Sequence, residues 1–298
     1  GLQTFRQVLQ NSSNPGFVEI GRRLGKDKLY QYVKDFGLTE KTGIDLPGEN
    51  KGIMFSYDKF GVLEQATVAF GQGISVTPLQ LVRAISAAVN GGYLYQPYIV
   101  SKIKDPLTGE VVNETTPTCL RQVISEETSA KMRDALETVV TDGGGKNAYI
   151  EGYRIGGKTG TAQKAVNGSY VGGGYILSFV GIAPIDDPEI VLYVALDNPK
   201  NCIQYGGTTV APIARNMLAD MLPSLGVEKV DSQREKVKTW MDKNTYVVEN
   251  YVGKSKKDVK STYFKFVFNG EGTKVLDQLP RAGEKIEEGS TIMIQMGE

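Results

Sequence analysis

The sequence contains no histidine. That absence excludes Ser-His-Asp and Cys-His triads and every histidine-based metal site from this chain. Cysteine is scarce: Cys119 and Cys202 stand far apart in sequence. Packed thiols are the simplest expectation for them, with a disulfide or half of a metal site completed elsewhere left open. There is no excess of either charge, since 34 Lys and Arg balance 34 Asp and Glu, so nothing points to a nucleic-acid partner. No apolar stretch approaches the length of a membrane span, and no signal peptide is expected among these 298 residues. Residue 1 is Gly rather than Met, and the chain is expected to be a piece of something longer. At 298 residues, 40% apolar and 23% charged, it reads as an ordinary globular protein of more than one domain.

What is there centres on Gly156-Gly157-Lys158-Thr159-Gly160-Thr161-Ala162-Gln163. Three glycines leave backbone amides uncovered for close approach of a ligand. The ammonium and two hydroxyls among them suit an anion such as a carboxylate or phosphate. Short flanks without helical period predict an edge strand through the motif. A rival lies on the same letters: Gly152 to Thr159 satisfies the phosphate-loop pattern, which requires a buried strand before it and a helix straight after Lys158-Thr159. Gly160 follows at once, which argues against that helix.

Along the chain, apolar spacing predicts a first helix on Leu2, Phe5, Val8 and Leu9, broken at Asn11-Ser12-Ser13-Asn14-Pro15-Gly16. A second helix carries Phe17, Ile20 and Leu24, and a third runs from Lys26 to Phe36 with Gly37 as its stop. Ser12-Ser13-Asn14 therefore sits on a tight corner, for which a helix cap is the plain explanation. Leu38 to Phe70 reads as loops and short strands. Thr77, Pro78 and Gln80 open a well-capped helix. Tyr93 to Val112 alternates as a hairpin about Asp105–Gly109, and Ser125 caps a helix that runs to Thr141 and a flexible Asp142-Gly143-Gly144-Gly145. Two strong strands, Tyr175 to Pro184 and Ile190 to Leu196, precede a last helix capped by Thr208 or Thr209 and stopped at Pro223. The class is α+β, an antiparallel sheet with helices before and after it. Residues 224–244, charge-rich and containing Trp240, read as a linker, partly helical; 245–298 form a separate module of order β-α-β-β-β, with its helix over Ser255 to Tyr263.

Taken together, Ser12-Ser13-Asn14, Lys158-Thr159-Gly160-Thr161, the stretch Gly71 to Gln80 and Ser178 to Pro184 resemble, in order, the class B penicillin-binding proteins. The tail resembles a PASTA domain through Asn250 to Ser255, Gln278 to Gly283 and Ile286 to Ser290, with Glu249 where that family commonly has proline. Within that family the chain resembles a sporulation-specific member with a single PASTA domain. The resemblance implies the penicillin-binding transpeptidase fold over 1–223, with its N-terminal part absent, and a PASTA domain over 245–298. It implies a peptidoglycan D,D-transpeptidase that cross-links stem peptides through a serine acyl-enzyme and is acylated by β-lactams. In that scheme Ser12, Asn14 and Lys158 are catalytic. Ser12 relays a proton to the leaving nitrogen, Asn14 orients a second lysine and the substrate amide, and Lys158 supplies positive charge. Thr159, Gly160 and Thr161 bind the substrate, the hydroxyls taking its carboxylate and the Thr161 amide forming half of an oxyanion hole.

The nucleophilic Ser-x-x-Lys is expected upstream of Gly1. Ser56-Tyr57-Asp58-Lys59 and Ser101-Lys102-Ile103-Lys104 are decoys, out of order for the family, and in a strand Ser101 and Lys104 would face opposite ways. No cofactor and no metal are expected. The implied partners are stem peptides, β-lactams and a membrane glycosyltransferase, with no nucleic acid. The implied location is the outer side of the cell membrane, on an anchor preceding this chain, and the forespore or septal membrane if the sporulation likeness holds. A non-catalytic penicillin-binding sensor or scaffold is the alternative.

Overall fold

The computed structural model describes residues 1–164, 170, 174–231, 233–237 and 244–298. The chain divides into two compact units, Gly1–Lys236 and Val237–Glu298.

The first unit opens with three helices, α1 (Phe5–Gln10), α2 (Asn14–Leu24) and α3 (Lys26–Asp35). Their boundaries follow local chemistry. Thr4 and Gln7 form a reciprocal capping box at α1, Ser13 accepts the Gly16 amide to cap α2, and Gly25 ends α2 at φ 86°. A fourth helix, α4 (Val62–Ala69), occupies part of the stretch read as loops and strands. Its signal was Glu64, whose carboxylate accepts the Gly61 amide at 3.0 Å, and Val68, buried with Val33 and Phe60; glycine at the cap position hid the start. The helix α5 (Pro78–Val89) has the expected Thr77–Gln80 capping box.

The segment after α5 makes two antiparallel pairs. The expected hairpin is β2 (Lys102–Lys104) with β3 (Val111–Glu114), turned by Asp105, whose side chain accepts the Leu107 and Thr108 amides. Outside it, β1 (Tyr93–Gln96) pairs with β4 (Thr118–Gln122), a strand without an alternating pattern because four of its five residues are exposed. Cys119 lies on β4 as an exposed free thiol rather than a packed one, and Cys202 is free and half-buried.

After α6 (Glu126–Thr141), capped by Ser125 as expected, come the three strands that hold the site. They are β5 (Gly156–Gln163), β6 (Tyr175–Ala183) and β7 (Ile190–Asp197), antiparallel, in the order β5-β6-β7. Leu177 and Phe179 of β6 join Ala214, Leu218 and Leu222 of α8 (Ala211–Ser224) in the main core; Ile182 joins Val89 of α5 and Leu136 of α6 in a second cluster. Helices thus cover the antiparallel sheet from both sides. The last helix begins differently from expectation. A single turn, α7 (Gly206–Thr209), precedes α8, neither threonine caps α8, and the Thr209 hydroxyl instead donates to the Ile203 carbonyl at 2.6 Å. Residues 225–236 stay with this unit. The Val230 amide donates to the Gly152 carbonyl at 2.8 Å, and Arg234 reaches Glu137 at 3.2 Å. Trp240 lies outside the described residues.

In the second unit, β8 (Thr245–Val247) pairs with β11 (Lys285–Glu287), and a three-stranded sheet has the order β10-β12-β9. Its strands are β9 (Lys265–Asn269), β10 (Lys274–Leu279) and β12 (Thr291–Gly297); β12 runs parallel to β9 and antiparallel to β10. Ile292, Ile294 and Met296 alternate inward on β12, against Tyr251, Val259 and Phe264. The expected helix over Ser255 to Tyr263 is only one 3-10 turn, Lys256–Asp258. Val259 alone is buried in that stretch, too little apolar face to hold a helix of that length.

Candidate active site

Lys158 and Ser12, 146 residues apart in sequence, meet. The Lys158 Nζ donates to the Ser12 Oγ at 2.7 Å and to the Thr159 carbonyl at 2.9 Å. Adjacent serines divide the work at the corner after α1. Ser13 is the helix cap, its side chain accepting the Gly16 amide at 3.4 Å. Ser12 is one of three non-glycine residues with positive φ among those described, at 51°, a conformation a helix cap does not need and one that strained, functional positions often carry. Asn14 is the first residue of α2 and exposed, with no side-chain hydrogen-bond partner among the described residues.

The motif is an edge strand. Lys158 pairs with Val180, Thr159 with Phe179, Gly160 with Ser178 and Thr161 with Leu177, and β5 has no other strand neighbour among the described residues. No helix follows Lys158-Thr159, so the phosphate-loop reading is overturned. Gly156 and Gly157 do not cradle an anion either. A Cβ on Gly157 would stand 2.5 Å from the Phe179 Cζ and 2.6 Å from the Val180 carbonyl oxygen, and one on Gly156 would overlap the Ile185 side chain, so they are small because β6 and the segment just after it fill the space. Side chains alternate along β5. Lys158 leaves on one face, while Thr159, 7% exposed, and Thr161, exposed, leave on the other. The Thr161 Oγ1 accepts the Gly206 amide at 3.2 Å. With that acceptor position taken, the hydroxyl proton is left to donate to an incoming acceptor.

Burial dominates the electrostatics. It pushes the Lys158 ammonium down to about 8, because a charged group loses hydration inside the fold. The site is braced by ion pairs that the sequence did not signal. Glu137 on α6, 2% exposed, accepts from the Arg154 Nε at 2.9 Å and Nη2 at 2.8 Å. Glu137 holds the Arg154 guanidinium well above its ordinary value, and Arg154 stands two residues before β5. One turn earlier on α6, Asp134 pairs with Arg6 of α1 at 2.5 Å and with Arg234. α6 therefore ties the helix that precedes Ser12 to the strand that carries Lys158. Glu137 and Arg154 are 17 positions apart in sequence, and only the packing of α6 on β5 brings them together.

Neither decoy forms a Ser–Lys pair. Ser56 precedes the 3-10 turn Tyr57–Lys59 and Ser101 precedes β2; neither serine side chain bonds a lysine among the described residues, and Lys102 pairs with Glu114 at 2.8 Å.

Against known families, residues 1–219 match the penicillin-binding protein transpeptidase domain and residues 246–298 match the PASTA domain. Stage V sporulation protein D of Bacillus subtilis is 54% identical over the whole chain, which covers 46% of that protein. The probable peptidoglycan D,D-transpeptidase PenA of Neisseria gonorrhoeae is 30% identical over 74% of the chain and 36% of its own length. The chain thus spans less than half of either relative. Among solved structures, penicillin-binding protein 3 of Mycobacterium tuberculosis, complexed with ampicillin, superposes with a TM-score of 0.72 at 32% identity over 78% of this chain and 54% of that one. The transpeptidase domain of Burkholderia pseudomallei penicillin-binding protein 3 gives 0.67 at 33% identity, over 77% and 66%.

Proposed function

Because the chain belongs to the penicillin-binding protein transpeptidase family and carries a PASTA domain, we propose that it is part of the catalytic region of a peptidoglycan D,D-transpeptidase. The observation that carries this is the 2.7 Å bond from Lys158 to Ser12: a desolvated cation on a hydroxyl is poised to move a proton rather than to hold a fold.

In this reading a serine outside residues 1–298, with its own lysine one helical turn away, attacks the penultimate D-Ala carbonyl of a stem peptide. An acyl–oxygen bond forms, the peptide C–N bond breaks, and D-alanine leaves with a proton relayed through Ser12. An amine on a neighbouring stem then takes the acyl group and releases the serine. Lys158 favours the deprotonated Ser12 and attracts the substrate carboxylate. The Thr161 hydroxyl donates to that carboxylate, with Thr159 deeper on the same side of the strand. Gly160 lets the substrate backbone lie against β5. The Thr161 amide is half of the oxyanion hole, and Asn14, without a side-chain hydrogen-bond partner among the described residues, turns to the nucleophile's lysine and the substrate amide. β-Lactams acylate the same serine. The sporulation protein's 54% identity supports a role in spore cell-wall synthesis, on the outer face of the forespore or septal membrane, beside a glycosyltransferase and on an anchor outside this chain. The part of 224–244 that does not pack on the first unit would link the two domains.

The test is Lys158→Ala in the full-length protein. Losing one charge-assisted contact in a dry site costs about 2.7–4 kcal/mol, roughly 100- to 1,000-fold in rate. Acylation by a fluorescent penicillin should fall by that much with the protein still folded, and Lys158→Arg, which keeps charge but not shape, should be intermediate. Near-normal acylation in a well-folded Lys158→Ala protein would sink this reading.

A further inference from the structure

The Asp142-Gly143-Gly144-Gly145 turn after α6 reads in the sequence as slack chain. In the structure it is crowded. None of its three glycines has positive φ; they are glycine for want of room. A Cβ on Gly143 would stand 2.7 Å from the Gln10 carbonyl oxygen and 2.9 Å from the Val139 Cα, and one on Gly144 would overlap the Tyr205 hydroxyl. The Gly144 amide donates to the Gln10 carbonyl at 3.0 Å, two residues before Ser12. On the other side of the same residue, the Gly144 carbonyl oxygen occupies the place of any Cβ on Gly207, which would also meet the Thr159 Cγ2 at 3.2 Å. Gly206, next to it, lies so close to β5 that a Cβ there would stand 2.5 Å from the Gly160 carbonyl oxygen, and its amide holds Thr161. Asn147 ties the turn to α7 through its bond to the Gly207 carbonyl at 2.8 Å.

A continuous backbone contact therefore runs from the Ser12 corner, through Gly144, to α7 and the Lys158 strand. We propose that Gly144 and Gly207 are positioning residues, a side-chain-free spacer that sets the separation of the Ser12 hydroxyl and the Lys158 ammonium. This rests on the role given to that pair above. The two groups come from elements that share no strand pairing, so their distance depends on what is wedged between those elements. An enzyme site tolerates little error here, since about 1 Å of misplacement can cost roughly 100-fold.

The experiment measures penicillin acylation against pH in the full-length protein for Gly207→Ala, Gly144→Ala, Tyr205→Phe, the Gly144→Ala/Tyr205→Phe double variant and Lys158→Ala. In Gly207→Ala the new methyl falls on the Gly144 carbonyl oxygen, which is main chain, and also meets the Tyr205 ring at 2.8 Å. Acylation should drop about 100-fold. Its alkaline limb, set by an ammonium that burial holds at about 8, should move to higher pH as water reaches Lys158. In Gly144→Ala the methyl displaces a tyrosine hydroxyl; a loss of about 10-fold is expected, and Tyr205→Phe, within about two-fold of wild type alone, should restore it by removing the overlapped atom. A folded Gly207→Ala protein with wild-type rate and pH profile overturns the proposal. If Gly207→Ala does not fold, the Gly144–Tyr205 pair decides: no loss, or a loss that Tyr205→Phe leaves in place, overturns it. Lys158→Ala separates the levels. If it acylates normally, the active-site reading fails and takes the spacer with it; if it is inactive while the glycine variants are normal, the spacer alone fails.

Discussion

Glycine does one kind of work in the open turns of the tail and another around the candidate site. In the tail, Gly253 and Gly289 have φ of 83° and 82° and nothing within 4 Å of where a Cβ would be; they are there for conformation. Around the candidate site, Gly144, Gly157, Gly206 and Gly207 keep negative or extended φ and meet main chain or ring atoms at once; they are there for space. The first kind is a turn signal that can be read locally. The second depends on what another part of the chain places opposite, and no local pattern reports it.

That contrast orders the variants by expected effect. Removing the brace comes first. Glu137→Ala strips a 2%-exposed carboxylate from Arg154 and Arg234, which are 27% and 41% exposed; because the arginines left behind still reach water, the cost is about 3 kcal/mol, the low end for breaking a buried pair. Chemical denaturation should register that loss in the first unit. A change under about 1 kcal/mol would mean that the pair is not buried in solution. Next are the two glycines set against each other. Gly157→Ala forces a methyl onto Phe179 and a Val180 carbonyl, an overpacking worth about 1–3 kcal/mol that should also slow acylation. Gly253→Ala meets no atom and carries only the left-handed penalty, about 1 kcal/mol, with acylation untouched. Equal acylation losses in both would erase the distinction drawn here.

The smallest effect expected concerns lysines. Lys254 lies over the Tyr251 ring with its Nζ 4.9 Å from the centroid, and Lys254→Met should change the melting temperature little. Lys158 is different because burial holds it at about 8, below the ordinary lysine value of 10.5. Between those values the unfolded chain binds more protons than the folded one, so this group's contribution to stability rises with pH across that window and is least favourable below about 8. Lys158→Met should therefore melt no lower than wild type at neutral pH while losing acylation, the signature of a group kept for function at a cost in stability. A lower melting temperature would mark Lys158 as a structural residue.

Much of the fold was legible, and the particular failures are instructive. Thr77–Gln80 and Ser125 announced their helices because caps are local chemistry. The strands β6 and β7 announced themselves as apolar runs. The helix α4 was hidden by its glycine cap, β4 by its exposure, and the tail helix was over-read from spacing without enough apolar residues to hold it. Of the site, the Lys158 strand was visible as a motif, and the corner at Ser12 as a cap. That Ser13 takes the cap and Ser12 faces the lysine required the fold, as did Glu137, Arg154 and the crowded turn at Gly144, whose letters suggest only slack.

The central claim is that Ser12 and Lys158 act as one unit. A double-mutant cycle tests it most directly: acylation rates of wild type, Ser12→Ala, Lys158→Ala and the double variant in the full-length protein, at a pH below 8, with folding checked for each. Residues that act together are grossly non-additive. Each single variant should lose most of the activity, and the double variant should be little worse than either. Additive losses, with the double variant falling by the product of the two single effects, would mean that the hydrogen bond between them has no part in the reaction.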